Sequence, residues 1–317
     1  MPYNHAMSPV LVAGSIAYDR IMDYAGNFTD SFVADKLHTL SVSFQVEGIK
    51  ENFGGCAGNI AYNLKLLGEE SEVISTAGSD FGRYAEYLKK LGISSDSIHI
   101  NADDFTAVAQ IMTDRANNQI AAFAMAACAT PYGALPDTAF ASAILGPGCV
   151  ADTIAVAAHA KAKGIKYYFD PGQAMPAFAA DNLKEIISGA AGLFCNDYEL
   201  SLITEKTGWN EQAILDQAPL LVVTLGAQGS RIVTKEGTIE IKAVPIEKLV
   251  DPTGAGDAHR AGFVKGMLAG LSLKVCGQLA STVAAYAVEH QGTQNHSFTL
   301  PELKTRYQTA YGETLSL

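Results

Sequence analysis

The sequence predicts an α/β fold, a mostly parallel sheet with helices on both faces and a small second sheet standing off the main body. Two observations predict it. Short apolar runs that end in Gly- or Asp-bearing turns alternate with segments of helical rhythm along most of the chain. That alternation builds a parallel sheet buried on both faces. Two stretches, 39–48 and 105–125, break the rhythm with the period-two alternation of half-exposed strands.

The elements follow in order. VLVAGSIAYDRIM (10–22) opens as a buried strand that ends in a turn at Gly14. TLSVSFQVEG (39–48) reads as a strand with Val42, Phe44 and Val46 on one face and Ser41, Ser43, Gln45 and Glu47 on the other. GNIAYNLKLLG (58–68) reads as a helix closed by a glycine. EVISTAGSD (72–80) is strand and turn, and RYAEYLKKLG (83–92) is helix. In FTAVAQIMTDRANNQIAAFAM (105–125), two strands flank the turn DRANN (114–118), rich in turn formers. Helices are expected at 152–164, 182–190, 198–208 and roughly 273–290, with strand plus turn at 166–172, a strand at 192–197, strand then glycine turn at 220–230, a hairpin at 231–241 and a long helix after Gly256. The whole is read as one domain over 8–317, with a β lid formed by about 38–53 and 105–125. Ligands of such folds gather beyond the carboxyl ends of the strands, where these turns lie.

Composition narrows the function. Of 317 residues, 48% are apolar and 17% charged, enough for a sizeable core. The formal net charge is −11 and no basic stretch occurs, which argues against nucleic acid and anionic membrane as partners. The five cysteines are scattered with no C-x-x-C pair, so a zinc site or disulfide framework is not expected and a reducing cytoplasm fits. MPYNHAMSPV lacks a signal-peptide pattern, and AAFAMAACA (121–129) is too short to span a bilayer.

The chemistry concentrates in two stretches. DPTGAGDAHRAGF (251–263) places Gly254, Ala255 and Gly256 before Asp257 and a helix. Glycine-rich turns at helix starts bind anions through free backbone N–H groups and the positive end of the helix dipole. The pattern is neither a Walker loop nor a G-x-G-x-x-G fingerprint. An aspartate at such a rim makes sense if a hydroxyl must lose its proton as it attacks phosphorus, with the N–H groups holding the transferring phosphoryl group. On spacing alone, Asp257 could equally cap the helix. FGGCAGNIAYNLKLLG (53–68) sets small residues around Cys56, with Asn59 in the first helical turn. This allows either close approach of a ligand or close helix packing.

Together these stretches resemble the ribokinase-like, or phosphofructokinase B, family of sugar and nucleoside kinases. GGCAGN (54–59) resembles its N-terminal signature and DPTGAGDAHRAGF its C-terminal one, and the element order agrees over nearly the whole chain. The resemblance implies a doubly wound α/β domain with a β lid. It also implies Asp257 as catalytic base, with Gly254, Ala255 and Gly256 forming an anion hole. Asp19 in GSIAYD then grips sugar hydroxyls, and Gly55 and Asn59 contact substrate. Asn196 and Glu199 in NDYE order magnesium and phosphate through water, and Thr224, Gly226 and Gly229 in TLGAQG hold ATP. Asp251 and Thr253 match positions that bind a monovalent cation such as K+ in some members. On the residues alone, Asp19 could stabilise a turn, Asn196 cap a helix and Glu199 compensate a helix dipole.

Two departures from the family stand out. His259 replaces an aromatic residue and is expected to pack as a neutral core side chain. AFAMAACATPYG (122–133) carries small residues near the lid.

Lys36, Lys50 and Arg115 form no cluster, which argues against a sugar-phosphate substrate. Phe44, Met112 and Phe123 lie on the alternating strands and could stack on a nucleobase or form the lid's own core. The signatures look most like those of prokaryotic adenosine or nucleoside kinases of the family. This favours ATP-dependent phosphorylation of the 5′-hydroxyl of a ribonucleoside, adenosine first, over a ribose or fructose kinase. A silent binding relative has no reason to keep Asp257. Exposed lid edges could also pair two copies into a homodimer.

Overall fold

The computed structural model describes residues 8–32, 41–116 and 118–317. Its strands are β1 (Val10–Ala13), β2 (Ala17–Tyr24), β3 (Val46–Gly54), β4 (Ser71–Gly78), β5 (Ile98–Asn101), β6 (Ala107–Thr113), β7 (Gln119–Ala124), β8 (Ser142–Leu145), β9 (Tyr167–Phe169), β10 (Gly192–Asn196), β11 (Leu221–Thr224), β12 (Ser230–Thr234) and β13 (Gly237–Ile241). Nine form the main sheet in the order β13-β12-β11-β10-β9-β8-β1-β4-β5. Pairing is parallel from β11 through β5, and the β12–β13 hairpin closes one edge antiparallel.

Alternation along each strand divides the core. Val10 and Val12 face one way, with Phe194 and Val222, against the helices Cys56–Leu66, Ala255–Leu268 and Leu273–Val288. Leu11 and Ala13 face the other way, with Leu193 and Val223, against Val150–Lys163 and Ala180–Ile187. The outcome is the doubly wound arrangement expected from the sequence.

The second sheet has the order β3-β2-β6-β7. The hairpin expected at 105–125 is present as β6 and β7. Asp114 holds its turn, accepting hydrogen bonds from the backbone N–H of Ala116 (2.9 Å) and Asn118 (2.8 Å). Two expectations need correction. The stretch after Gly14 is not only a turn: β2 is one of the two inner strands of the lid, parallel to β6 and antiparallel to β3. Its apolar residues fall on both faces (Tyr18 and Met22 against Ile21), so no clean alternation announced it. The other lid strand is Val46–Gly54 rather than 39–48. Residues 41–45 form no ladder, and 39 and 40 lie outside the described residues, as does Lys36. The charged run EGIKEN becomes strand because β2 pairs with it from Tyr24↔Val46 to Ala17↔Gly54, and Arg20 meets Glu51 directly across at 2.8 Å.

The carboxyl ends of β1, β9, β10 and β11 and the start of the helix Ala255–Leu268 open toward the lid. The candidate residues collect there.

Candidate active site

A cavity of about 380 Å³ lies between the strand ends and the lid. The lid contributes one row to it. Asp19 is opposite Ala109, and Ala109 opposite Phe123, so all three share a face; Ile111 is two residues further along the same face. Two expected members of this wall are absent. Met112 neighbours Ile111 on β6 and so projects from the other face, in register with Met22 and Ile120. Phe44 precedes β3 and packs its ring against Tyr24 (5.0 Å between centroids) and Phe28 (5.2 Å). Phe44 therefore serves the lid's own packing, and Met112 lies on the face away from the cavity. Ala109 and Ile111, which the aromatic-centred reading passed over, join Phe123 in the apolar wall.

The floor is the start of the helix Ala255–Leu268. Gly254, in the left-handed conformation with φ of 78°, turns the chain into the helix. The backbone N–H of Ala255 turns back to the Pro252 carbonyl at 3.3 Å. Those of Gly254, Gly256 and Asp257 have no acceptor among the described residues, which leaves three N–H groups open at the helix start. Ala255 thus contributes shape to the turn expected to bind an anion, while its own N–H is already directed elsewhere.

Asp257 is buried, and its Oδ2 accepts a hydrogen bond from Asn59 Nδ2 at 2.9 Å. Asn59 is itself held: its Oδ1 accepts from Gln294 Nε2 at 2.9 Å, and Gln294 also meets the Tyr84 hydroxyl, which donates to the Gly54 carbonyl. That chain fixes the Asn59 amide with its N–H toward Asp257. Expected as a substrate contact, Asn59 lines the cavity but gives its donor to Asp257. Gly55 has φ of 85°, and a Cβ there would sit 2.5 Å from the Ser15 carbonyl oxygen and 2.6 Å from the Ala17 nitrogen. Only glycine lets this backbone close against the link between β1 and β2.

Beside Asp257 lies a cation that the sequence reading did not single out. Arg260, 9% exposed, is ion-paired with Asp170 at the end of β9, and its Nη1 is 4.0 Å from Asp257 Oδ1. Its guanidinium lies across Gly256, where any Cβ would collide with Nη1. Burial pushes the Asp257 carboxyl above the ordinary carboxylate range, and Arg260, then the hydrogen bonds from Asn59 and Cys56, pull it back. The available signal was an arginine inside the apolar helix DAHRAGF, which needs a buried anionic partner, and Asp170 in FDPG is that partner.

Asp19 is 9% exposed. Burial, then the negative charges of Asp251 and Asp257, push its carboxyl up to about 7. As an ionised acceptor it can take two hydrogen bonds from vicinal hydroxyls; protonated, it loses one of those acceptors. A diol should therefore bind more weakly as pH falls below about 7, approaching tenfold per pH unit, and level off above it. Measured affinities across pH 5.5–8.5 should show that slope in the native protein and lose it in Asp19→Asn.

Asn196 and Glu199 form a capping box at the helix Asp197–Thr207. Asn196 Oδ1 accepts from the Glu199 N–H at 2.7 Å, and Glu199 Oε2 accepts from the Asn196 N–H at 2.8 Å. The capping role is therefore real, and both residues also line the cavity. Thr224 borders this cavity and a second one of about 580 Å³, which Gly226 and Gly229 also line. The second cavity is walled by apolar side chains including Val244, Ile246, Leu249 and Val288, and it adjoins the first at Thr224 and Gly256. Asp251 accepts from the N–H groups of Thr253 (2.9 Å) and Gly292 (3.0 Å), tying two loops together; Thr253 lines the first cavity. Among the described residues no group of three or more His, Cys, Asp or Glu side chains is placed to hold a metal ion, and no helix is long and apolar enough to cross a membrane.

The family model of the pfkB family carbohydrate kinases matches residues 9–300. A nucleoside kinase from Methanocaldococcus jannaschii is 34% identical over 268 residues, covering 84% of this chain and 88% of that protein. The solved structure of Burkholderia thailandensis nucleoside kinase in complex with inosine superposes with a TM-score of 0.86 at 37% identity, covering 96% of this chain and 99% of that one. Its complex with ADP-inosine gives 0.83 at the same identity, covering 96% and 97%. The family model covers residues 9–300 and the M. jannaschii relative is 34% identical over most of both chains, so the chain belongs to the pfkB family of carbohydrate kinases, phosphotransferases acting on a hydroxyl group.

Proposed function

We propose that this protein transfers the γ-phosphate of ATP to the 5′-hydroxyl of a purine ribonucleoside, with adenosine as the first substrate to test and inosine beside it. The observation that carries the reading is the adjoining pair of cavities, with Gly256 lining both and Asp257 beside it lining the first. The first cavity offers a diol acceptor, Asp19, and an apolar wall of Ala109, Ile111 and Phe123. Its single basic lining residue among those described, Arg260, is already paired with Asp170, leaving no free cation for a substrate phosphate. An unphosphorylated nucleoside fits that balance. The nucleoside kinases from M. jannaschii and B. thailandensis support the same substrate class.

The second cavity suits a nucleotide: its apolar walls can hold a base, and its Thr224–Gly256 end brings the phosphates to the open N–H groups. Magnesium supplies charge neutralisation of the phosphates when bound, and Glu199, whose carboxylate lines the first cavity, is the residue to hold its waters. In this reading Asp257 takes the proton of the attacking hydroxyl as its oxygen bonds to the γ-phosphorus. The bond from that phosphorus to the β–γ bridging oxygen breaks, ADP leaves with the electron pair, and the N–H groups of Gly256 and Asp257 hold the charge of the transferring group. Asp251 and Thr253 are the residues assigned to a monovalent cation, checked by activity in potassium against tetramethylammonium salts.

The test is ADP release with ATP and magnesium against adenosine, inosine, guanosine, cytidine, ribose and fructose. Turnover confined to nucleosides supports the reading. Turnover on free sugars alone sinks it.

A further inference from the structure

The second cavity contains a polar anomaly. His259, on the helix Ala255–Leu268, is 5% exposed and lines it, yet neither ring nitrogen has a hydrogen-bond partner. Ser230, at the start of β12 and 2% exposed, lines the same cavity with an equally unpartnered hydroxyl. The other lining hydroxyls are engaged: Ser281 accepts from the Val244 N–H at 3.1 Å, and Thr224 faces the Cys195 carbonyl at 3.5 Å. Among the described lining side chains, these two alone carry polar atoms that are both buried and unsatisfied.

Buried polar atoms are nearly always paired, and one left unpaired burdens the folded state. An apolar side chain at 259 would avoid that burden. Two unpaired groups on one cavity therefore point to a ligand that supplies the missing partners. The ligand's chemistry follows from the imidazole. Burial, then the neighbouring Arg260 cation, push it down to about 3, so it is neutral and carries one N–H donor and one lone pair. A neutral ring contributes little to a phosphate, which in any case has the N–H groups at the Gly256 end. It suits an uncharged group bearing donors and acceptors, in a space shaped for an apolar plane.

Resting on the assignment of this cavity to the phosphate donor, we propose that His259, assisted by Ser230, is a specificity-determining residue for the donor nucleotide, hydrogen-bonding an uncharged polar group of its base or ribose. The two sources share one chemistry and can be separated.

Calorimetric titration of the full-length protein with ADP comes first. His259→Phe should weaken ADP binding about tenfold, the worth of one hydrogen bond between an otherwise unsatisfied pair. His259→Gln, which keeps a donor and an acceptor, should restore most of it, and Ser230→Ala should cost a smaller factor. Nucleoside affinity should stay within about twofold, because the first cavity is untouched. KM values for ATP, GTP and 2′-deoxy-ATP then identify the group. Collapse of the ATP-to-GTP preference in His259→Phe assigns the contact to the base, and collapse of the ATP-to-2′-deoxy-ATP preference assigns it to the ribose. Wild-type ADP affinity and donor ratios in His259→Phe overturn the proposal, as does a weakening that Gln fails to rescue. Since ADP binding is read directly, a native protein that binds ADP but phosphorylates no nucleoside refutes the nucleoside reading and leaves this inference standing; one that binds no nucleotide refutes both.

Discussion

Asp257→Asn should lower kcat by about 10²–10⁴, the range that a positioned general base contributes, while nucleoside and nucleotide affinities change by no more than a few fold. The substitution keeps shape: the new amide oxygen can still accept from Asn59 Nδ2, which Gln294 holds in place. Arg260 keeps its partner Asp170, so no buried charge is stranded. Only the capacity to take a proton is lost. Because burial raises the Asp257 carboxyl, kcat/KM of the native enzyme should rise with pH across an acidic limb displaced above the usual carboxylate range. Asp257→Asn should abolish the contribution of this group to that limb. Steady-state kinetics beside calorimetric binding separate the two effects; an equal loss in binding would make Asp257 a binding residue.

The second large effect belongs to Arg260. Replacing it by Met should cost about 3–5 kcal/mol of stability, since it strands buried Asp170 and leaves Asp257 without its nearby cation. A double variant, Arg260→Met with Asp170→Leu, should recover much of that stability, because the desolvated pair is replaced by apolar volume. Activity should not return with it. With no guanidinium near Oδ1, the Asp257 carboxyl should be pushed further up, and the acidic limb of kcat/KM should move to higher pH. Chemical denaturation and pH-rate profiles of the three proteins check both parts. A stable double variant with the native pH profile would reduce Arg260 to a structural role.

The sequence carried the main sheet because buried parallel strands and their glycine-closed helices have distinct local patterns, as in GNIAYNLKLLG. It carried the hairpin at 105–125 because Asp114 and Asn118 hydrogen-bond locally around the turn. It failed at β2 and β3, where pairing rather than local pattern makes the strand. EGIKEN has little intrinsic strand preference, and its extended form depends on β2 beside it. Strands β5 and β8 were not read from the sequence.

The site divides in the same way. Asp257 and its glycine turn are contiguous and could be read. Arg260, Asp170 and Gln294 could not, because their meaning lies in partners from other elements, with Arg260 and Asp170 90 positions apart. Phe44 and Met112 were drawn to the substrate by side-chain type, whereas strand parity and the start of β3 decide where they point. His259 was expected to pack in the core; it is buried, but it lines a cavity and both its nitrogens lack partners.

The most direct test is to identify the phosphorylated atom. The native protein and Asp257→Asn would each be mixed with ATP, magnesium and adenosine or inosine, and the products examined by phosphorus–proton correlation in NMR. The expected product is the nucleoside 5′-monophosphate with one equivalent of ADP, formed at least about 100-fold more slowly by Asp257→Asn. Phosphate found on another atom of the nucleoside, no nucleoside monophosphate from the native protein, or equal rates from the two proteins, would contradict the assignment of the cavity to a nucleoside or of Asp257 to its 5′-hydroxyl.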